Sequence, residues 1–323
     1  MLNVPTPDRA APDLASVLPS DTALLRLAEA LRSVGYGFVT PTPATIARVN
    51  ARPGNEWASD LRGVFGWSRP FHDGIVPAAL VAAMQDAGAW SQHPGGARSL
   101  LRASSLDGEL FLHSAYPTTA ADAVFFGPDT YRYARAILAH RSRVPVLRAI
   151  DVGCGAGPGA VLLARAYPDA EVLAADINDT ALQLTRVNAA LAGVRVHAVN
   201  SNLLLGVQGS FDLVVANPPY LVDPSERAYR HGGGPLGAGL SLAILDAALE
   251  RLGPGGTLLL YTGAAVVNGI DPFHDAAAAR LAGVEATWAY HELDPDVFGE
   301  ELEAGAYAAA DRIAAVLLTV TKE

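Results

Sequence analysis

The stretch Phe211-Asp-Leu-Val-Val-Ala-Asn217-Pro218-Pro219-Tyr220 begins as a buried strand and ends on two prolines. Prolines stiffen a turn and remove two N–H donors, so carbonyls dominate what the turn offers to a ligand. The Asn217 side-chain oxygen and the Pro218 carbonyl supply two acceptors, enough to hold both hydrogens of a planar NH2 group. Held in that way, the nitrogen turns its lone pair toward an electrophile, and positive charge developing on it is stabilised. Tyr220 follows as a platform for a planar amide or base; base–aromatic stacking contributes roughly 1–3 kcal/mol. Two prolines alone also read as a structural turn. The asparagine before them and the aromatic after them give the turn its chemical reading.

A second group is rich in glycine. Asp151-Val-Gly153-Cys154-Gly155-Ala-Gly157-Pro158-Gly159 closes one strand-like run and opens a helical one. Glycines at alternate positions let the backbone turn tightly and approach a ligand, and the following helix presents its positive end. The nicotinamide fingerprint needs Gly-x-Gly-x-x-Gly to seat a pyrophosphate. The spacing here differs, and Asp151 places a carboxylate beside the turn, which suits a cationic ligand without phosphate. Asp176 ends the next strand, where a carboxylate accepts the hydroxyls of a ribose; its structural alternative is a helix cap, for which Asp179 is better placed. Ile177 belongs with it, and Asn202, just past the third strand, is placed to meet an adenine edge. Cys154 reads as a small buried residue rather than a nucleophile. The histidines are scattered without ligand spacing, so no metal is expected.

These residues need a scaffold. From Val146 onward strand-like and helical runs alternate: 146–152 then 158–167, 171–175 then 180–192, 194–199, 211–216 then 241–252, and 257–262 then 273–282. Such repetition predicts α/β architecture with a doubly wound, mostly parallel sheet. Runs at 284–291 and 313–321, joined by an acidic loop, predict an antiparallel last strand. Residues 1–20 are Pro-rich and read as a flexible tail. Asp21 is a plausible cap for a helix starting at Thr22. Short helices are expected at 45–50, 56–65 and 78–88, where Leu80, Val81 and Met84 form a core stripe. Strands at 99–104 and 109–113 flank an Asp107-Gly108 turn. Helices followed by a hairpin suggest a smaller N-terminal α+β, winged-helix-like domain over 21–120, which binds nucleic acid, binds a protein partner or caps a catalytic domain at 121–323.

Charge divides the chain in the same place. Residues 1–145 hold 13 arginines against 12 acids, whereas residues 146–323 hold 10 basic and 21 acidic residues. An acidic catalytic half repels phosphate backbones. Arg48, Arg52, Arg62 and Arg69 form a candidate basic surface; since Lys322 is the only lysine, a coding preference for arginine explains them equally well. No apolar run reaches the roughly 18–20 residues that span a bilayer. The N-terminus does not resemble a secretory signal, and a single cysteine fits a reducing, cytoplasmic setting.

Asp151–Gly157, Asp176 and Asn217–Tyr220 resemble the corresponding motifs of class I S-adenosylmethionine-dependent methyltransferases. The Asn-Pro-Pro-Tyr form is similar to that of the release-factor glutamine-N5 methyltransferase family and of the amino-methyltransferases of DNA and RNA bases. The resemblance covers about residues 124–323 and implies a seven-stranded class I methyltransferase fold with S-adenosyl-L-methionine as cofactor. Phe126-Gly127-Pro128-Asp129-Thr130 resembles the Pro-Asp/Glu-Thr segment beside the active site of the glutamine-modifying family, which brings Thr130 to the cofactor; Gly127 stands where that family usually has Arg. His231–Gly239 corresponds to a Gly-rich stretch, either a mobile lid or a flexible loop. The acceptor expected first is a glutamine side chain of a protein such as a translation factor. The alternatives are an adenine or guanine amino group in RNA or DNA, a small molecule, or a non-catalytic regulator that only senses the nucleoside.

Overall fold

Helical spacing of Leu24, Leu25, Leu27, Ala28 and Leu31 builds α1 (Thr22–Ser33), which buries all five. The computed structural model describes residues 21–227, 229–303 and 305–323; the tail expected at 1–20 lies outside them. Asp21 does not cap α1. Its buried carboxylate accepts instead from Arg186 at 2.7 Å and Gln183 at 3.1 Å, because a carboxylate removed from water needs a cation more than it needs an amide. α2 (Pro43–Asn50) is capped by Thr42. α3 (Leu61–Phe65) is shorter than expected, since the Asp60 carboxylate caps Gly63 N and fixes the helix start there. α4 (Ala78–Asp86) buries Leu80 and Met84.

Two hairpins follow. β1 (Trp90–His93) and β2 (Gly96–Ser99) were not anticipated. β3 (Leu101–Leu106) and β4 (Glu109–Ser114) turn on Asp107-Gly108 as expected. An exposed wing alternates buried and open residues, but Glu109 to His113 are all buried. What covers β4 is α7 (Asp179–Ala192). The buried Asn188 of α7 accepts from Leu112 N at 2.9 Å and donates to Leu112 O at 3.0 Å. This hairpin is therefore an internal joint between the two halves of the chain.

α5 (Pro128–Ala139) leads into the alternating region: β5 (Arg148–Val152), α6 (Pro158–Ala166), β6 (Glu171–Asp176), α7, β7 (His197–Asn200), β8 (Phe211–Ala216), α8 (Gly239–Arg251), β9 (Leu252–Val266), α9 (Pro272–Leu281), β10 (Ala286–Asp294) and β11 (Arg312–Lys322). The seven strands lie in the order β10-β11-β9-β8-β5-β6-β7. β11 runs antiparallel to both neighbours, and the β5 to β9 pairings are parallel. This is the α/β class I methyltransferase architecture. The cap of α7 is Asn178, accepting from Thr180 N, and not Asp179; Asp179 accepts from Asn200 at 2.8 Å. One apolar core runs without a break from Leu27 and Phe111 through Leu163 and Val187 to Tyr261, and Ile150, Val214, Leu245 and Phe273 form the core on the other face of the sheet. Each fully buried leucine such as Leu27 contributes roughly 1.5–3 kcal/mol.

Candidate active site

The strand order reverses between β5 and β8, and ligands of open α/β sheets bind in the crevice beyond the strand ends at such a reversal. Val152 pairs with Ala216, so Gly153 and Asn217 leave adjacent strands, which lie about 4.8 Å apart. A cavity of about 380 Å³ fills the crevice, within the roughly 300–1,000 Å³ usual for small-molecule sites. Its wall includes Thr130, Asp151, Gly153, Cys154, Gly155, Asp176, Ile177, Asn202, Asn217, Pro218, Pro219 and Tyr220. Gly157 is the one expected residue outside that wall; its left-handed φ of +80° starts α6, and a Cβ there would strike Thr185.

The β5–β7 side is made largely of backbone. Gly153 N and Cys154 N donate to Ala175 O at 2.8 and 3.1 Å. Gly155, at φ +55°, turns its N–H onto Asp176 Oδ2 at 2.9 Å, and Asn178 N reaches Oδ1 at 3.0 Å. Burial pushes the Asp176 carboxyl up, and these N–H groups oppose the shift. Its remaining lone pairs accept further hydrogen bonds. Ile177 beside it is 61% exposed, an apolar side chain left open on the cavity wall. Asn202 is exposed on the same wall.

Asp151 departs from its expected role as an open carboxylate. It is buried, accepting from the Tyr133 hydroxyl at 2.8 Å and Ala160 N at 2.9 Å, and so brackets α5 to α6. Burial pushes it up to about 7, opposed by those two donors and aided by Asp176. Burial and the two nearby carboxylates raise the Cys154 thiol far above its usual range, so it is no nucleophile. Thr130 Oγ1 accepts from Gly127 N at 3.3 Å at the start of α5.

The β8 side is made of side chains. Asn217 is half-buried, and among the described residues neither its side-chain amide nor the Pro218 carbonyl has a hydrogen-bond partner in the chain. Tyr220 is not the open platform expected. It is buried, its hydroxyl donates to Asp129 Oδ2 at 2.8 Å, and Phe298 meets it edge-on at 5.9 Å. Its ring lies over Gly263, where a Cβ would come within 2.2 Å. Aromatic surface at the cavity comes instead from Phe125 stacked on Tyr229, 6.1 Å between centroids. Arg227 and Arg230 share that wall but are already committed. Arg227 grips both Asp223 oxygens, at 2.8 and 2.7 Å, holding that carboxyl well below its usual range, and Arg230 pairs with Glu301. Arg227-Ala-Tyr229-Arg230 carried a readable cation–aromatic pattern, whereas Phe298, in an acidic loop, carried none.

The glycines of 231–239 serve close packing. Gly232 N donates to Leu221 O, Leu240 N to Gly232 O and Gly239 N to Gly233 O, at 2.8, 2.7 and 2.9 Å. Gly237 sits at φ +78°, and a Cβ there would lie 2.0 Å from the Tyr220 carbonyl. This stretch braces the Asn217–Tyr220 turn from behind. Among the described residues no His, Cys, Asp or Glu group is arranged to hold a metal ion, and no helix is long and apolar enough to cross a membrane.

Residues 122–267 match the family described as methyltransferase small domain. The chain is 36% identical over 210 residues to the release factor glutamine methyltransferase of Deinococcus radiodurans, covering 61% of this chain and 70% of that protein. It is 33% identical over 130 residues to the ribosomal protein uL3 glutamine methyltransferase of Neisseria meningitidis serogroup A, which covers 36% of this chain and 43% of that one. Over 146 residues it is 29% identical to the ribosomal RNA small subunit methyltransferase C of Serratia proteamaculans, covering 45% and 36%. A parallel sheet with one antiparallel strand, a cavity joining the glycine turn to the Asn-Pro-Pro-Tyr turn, and these likenesses converge: the chain belongs to the release factor glutamine methyltransferase family, a group of S-adenosylmethionine-dependent N-methyltransferases.

Proposed function

We propose that this enzyme methylates the side-chain amide nitrogen of a glutamine in a protein of the translation machinery. The observation that carries this reading is the unpartnered Asn217 amide and Pro218 carbonyl beside the glycine turn. Two acceptors at one strand end match the two hydrogens of a primary amide. Relatives named for release factor and for uL3 glutamine methylation point to the same acceptor class, and such an acceptor would place the enzyme in the cytoplasm.

The residues present fit the cofactor. Asp176 would accept the ribose hydroxyls, Ile177 and Asn202 would meet the adenine, and the turn at Gly153, Cys154 and Gly155, with Asp151 and Thr130, would enclose the methionine portion. S-adenosylmethionine supplies, when bound, a methyl group activated by a sulfonium. Asn217 and Pro218 hold the acceptor NH2 so that its lone pair faces the glycine turn. They also stabilise the positive charge that grows on nitrogen, an electrostatic contribution made by groups fixed before reaction. The nitrogen sheds its proton once the new bond has formed, which asks no dedicated base of the chain. The 21–120 domain would present the acceptor protein.

A base amino group in RNA is the second reading, favoured by the relative named for ribosomal RNA and by exposed Arg48 and Arg52. Against it, Arg227 and Arg230 at the cavity already hold Asp223 and Glu301, and phosphate binding rests on cations available to replace counterions. Incubating the enzyme with labelled cofactor and either purified release factor or ribosomal RNA separates the two. Label on a glutamine, resistant to nuclease, is the expected result; label only in nuclease-sensitive material overturns the protein reading.

A further inference from the structure

Asp129 lies beneath the acceptor turn at the second position of α5 and is 7% exposed. Three side chains converge on its carboxylate. Tyr220 of the turn donates to Oδ2 at 2.8 Å, Tyr261 of β9 donates to Oδ1 at 2.6 Å, and Arg132 stands at 3.3 Å. Arg132 in turn reaches Asp294 of β10 at 2.7 Å. This carboxylate is not packed into close core. It forms part of the wall of the main cavity and of a second, smaller one of about 140 Å³, with Pro43, Phe125 and Phe298 shared between them. Around Tyr220, Gly263 leaves room for the ring and Phe298 meets it at a steep angle, 5.9 Å between centroids. The hydroxyl bond to Asp129 and the room left by Gly263 together set the side chain's direction.

We infer that Asp129 is a positioning residue for methyl transfer: by anchoring Tyr220 it fixes the Asn217 amide and the Pro218 carbonyl at the spacing an acceptor NH2 requires. This rests on reading Asn217–Tyr220 as the acceptor clamp. A carboxylate accepts from two phenols at once, one per oxygen; an asparagine accepts at its oxygen only, so the phenol facing its NH2 must reverse its bond and the charge assistance is lost.

The test compares Asp129→Asn, Tyr220→Phe and the double variant, with release factor as acceptor. Each single change is expected to lower kcat by roughly tenfold to a hundredfold, the size of effect that misplacing a reacting group produces. The double variant should be no slower than the slower single one, since both changes remove the same bond. S-adenosylhomocysteine affinity, measured by calorimetry, should stay within about twofold of wild type, well under 1 kcal/mol. Full kcat in Asp129→Asn, multiplying losses, or an equal loss of cofactor affinity overturns the inference. Amide hydrogen exchange gives a readout that needs no acceptor. Residues 220–222 should exchange faster in Asp129→Asn while 153–160 stay unchanged; unaltered exchange at 220–222 sinks the role assigned to Asp129. Should wild type leave release factor unmethylated while the exchange result holds, only the acceptor assignment fails.

Discussion

The two ends of the cavity are built by different means. At the β5–β7 end, a few consecutive residues supply nearly everything: N–H groups of the glycine turn, the Asp176 carboxylate they grip, and Ile177 beside it. At the β8 end, the Asn217–Tyr220 turn is short, and its geometry depends on residues far away in sequence. Asp129 and Tyr261 stand under it, Gly237 braces its carbonyl, Gly263 makes room for its ring, and the Tyr307 hydroxyl oxygen accepts from Val222 N at 2.9 Å. Local backbone construction suits a ligand of constant shape. Remote bracing suits the proposed clamp, which would hold one amide group whatever the rest of the acceptor. The difference predicts a division of kinetic effects: damage at the β8 end should lower kcat, and damage at the β5–β7 end should weaken cofactor binding.

Asn217→Ala is the severest challenge to that division. Removing one preorganised polar group from the reacting centre costs about 10²–10³ in kcat, and cofactor affinity by calorimetry should be nearly unchanged; a parallel loss of both would dissolve the distinction. Gly263→Ala comes next. Its methyl would displace the Tyr220 ring, and overpacking of this kind costs roughly 1–3 kcal/mol, so melting temperature and kcat should fall together while S-adenosylhomocysteine still binds. At the other end, Asp176→Ala removes charged acceptors worth about 1.5–3 kcal/mol each. It should raise the cofactor Kd by roughly tenfold to a hundredfold, with kcat at saturation within a few-fold of wild type.

The smallest effect is one of pH. Burial holds the proton on Asp151 up to about 7, and a cation nearby favours its ionised form. Binding of the cationic cofactor beside it should release this proton, so affinity is expected to level off above about pH 7 and to weaken below it, by at most about tenfold per unit. Asp151→Asn should flatten the profile. S-adenosylhomocysteine, which lacks the sulfonium charge, should show a shallower one; an equal slope for both ligands would remove Asp151 from the account.

The same contrast explains how much the sequence disclosed. The glycine turn, Asp176, Asn202 and Asn217 were legible because each is defined by its neighbours at a strand end, and the strand–helix alternation places those ends together. The direction of Tyr220 was not, because it is set by Asp129 and Gly263, each distant in sequence. Glycines at 231–239 looked like freedom of movement, but Gly237 answers to a carbonyl 2.0 Å from where its Cβ would be. Asp21 had a plausible local role as a helix cap and is taken by Arg186, and Asp151, expected to face a cationic ligand, is taken by Tyr133. The β1–β2 hairpin was missed because Trp90-Ser-Gln-His93 is half-buried with no alternation to read.

Asn188 has a consequence for substrate choice. One buried amide binds β4 through Leu112 and the glycine turn through Ala156 O at 2.8 Å. The N-terminal half is consequently not a tethered arm that searches for its target. Under the proposed reading it would act as a fixed gauge, and a protein docked on it would meet the Asn217–Tyr220 turn at a distance set once, when the chain folds. Retargeting the enzyme by grafting a new N-terminal half would require β4 and α7 to be transplanted together, as a single cassette.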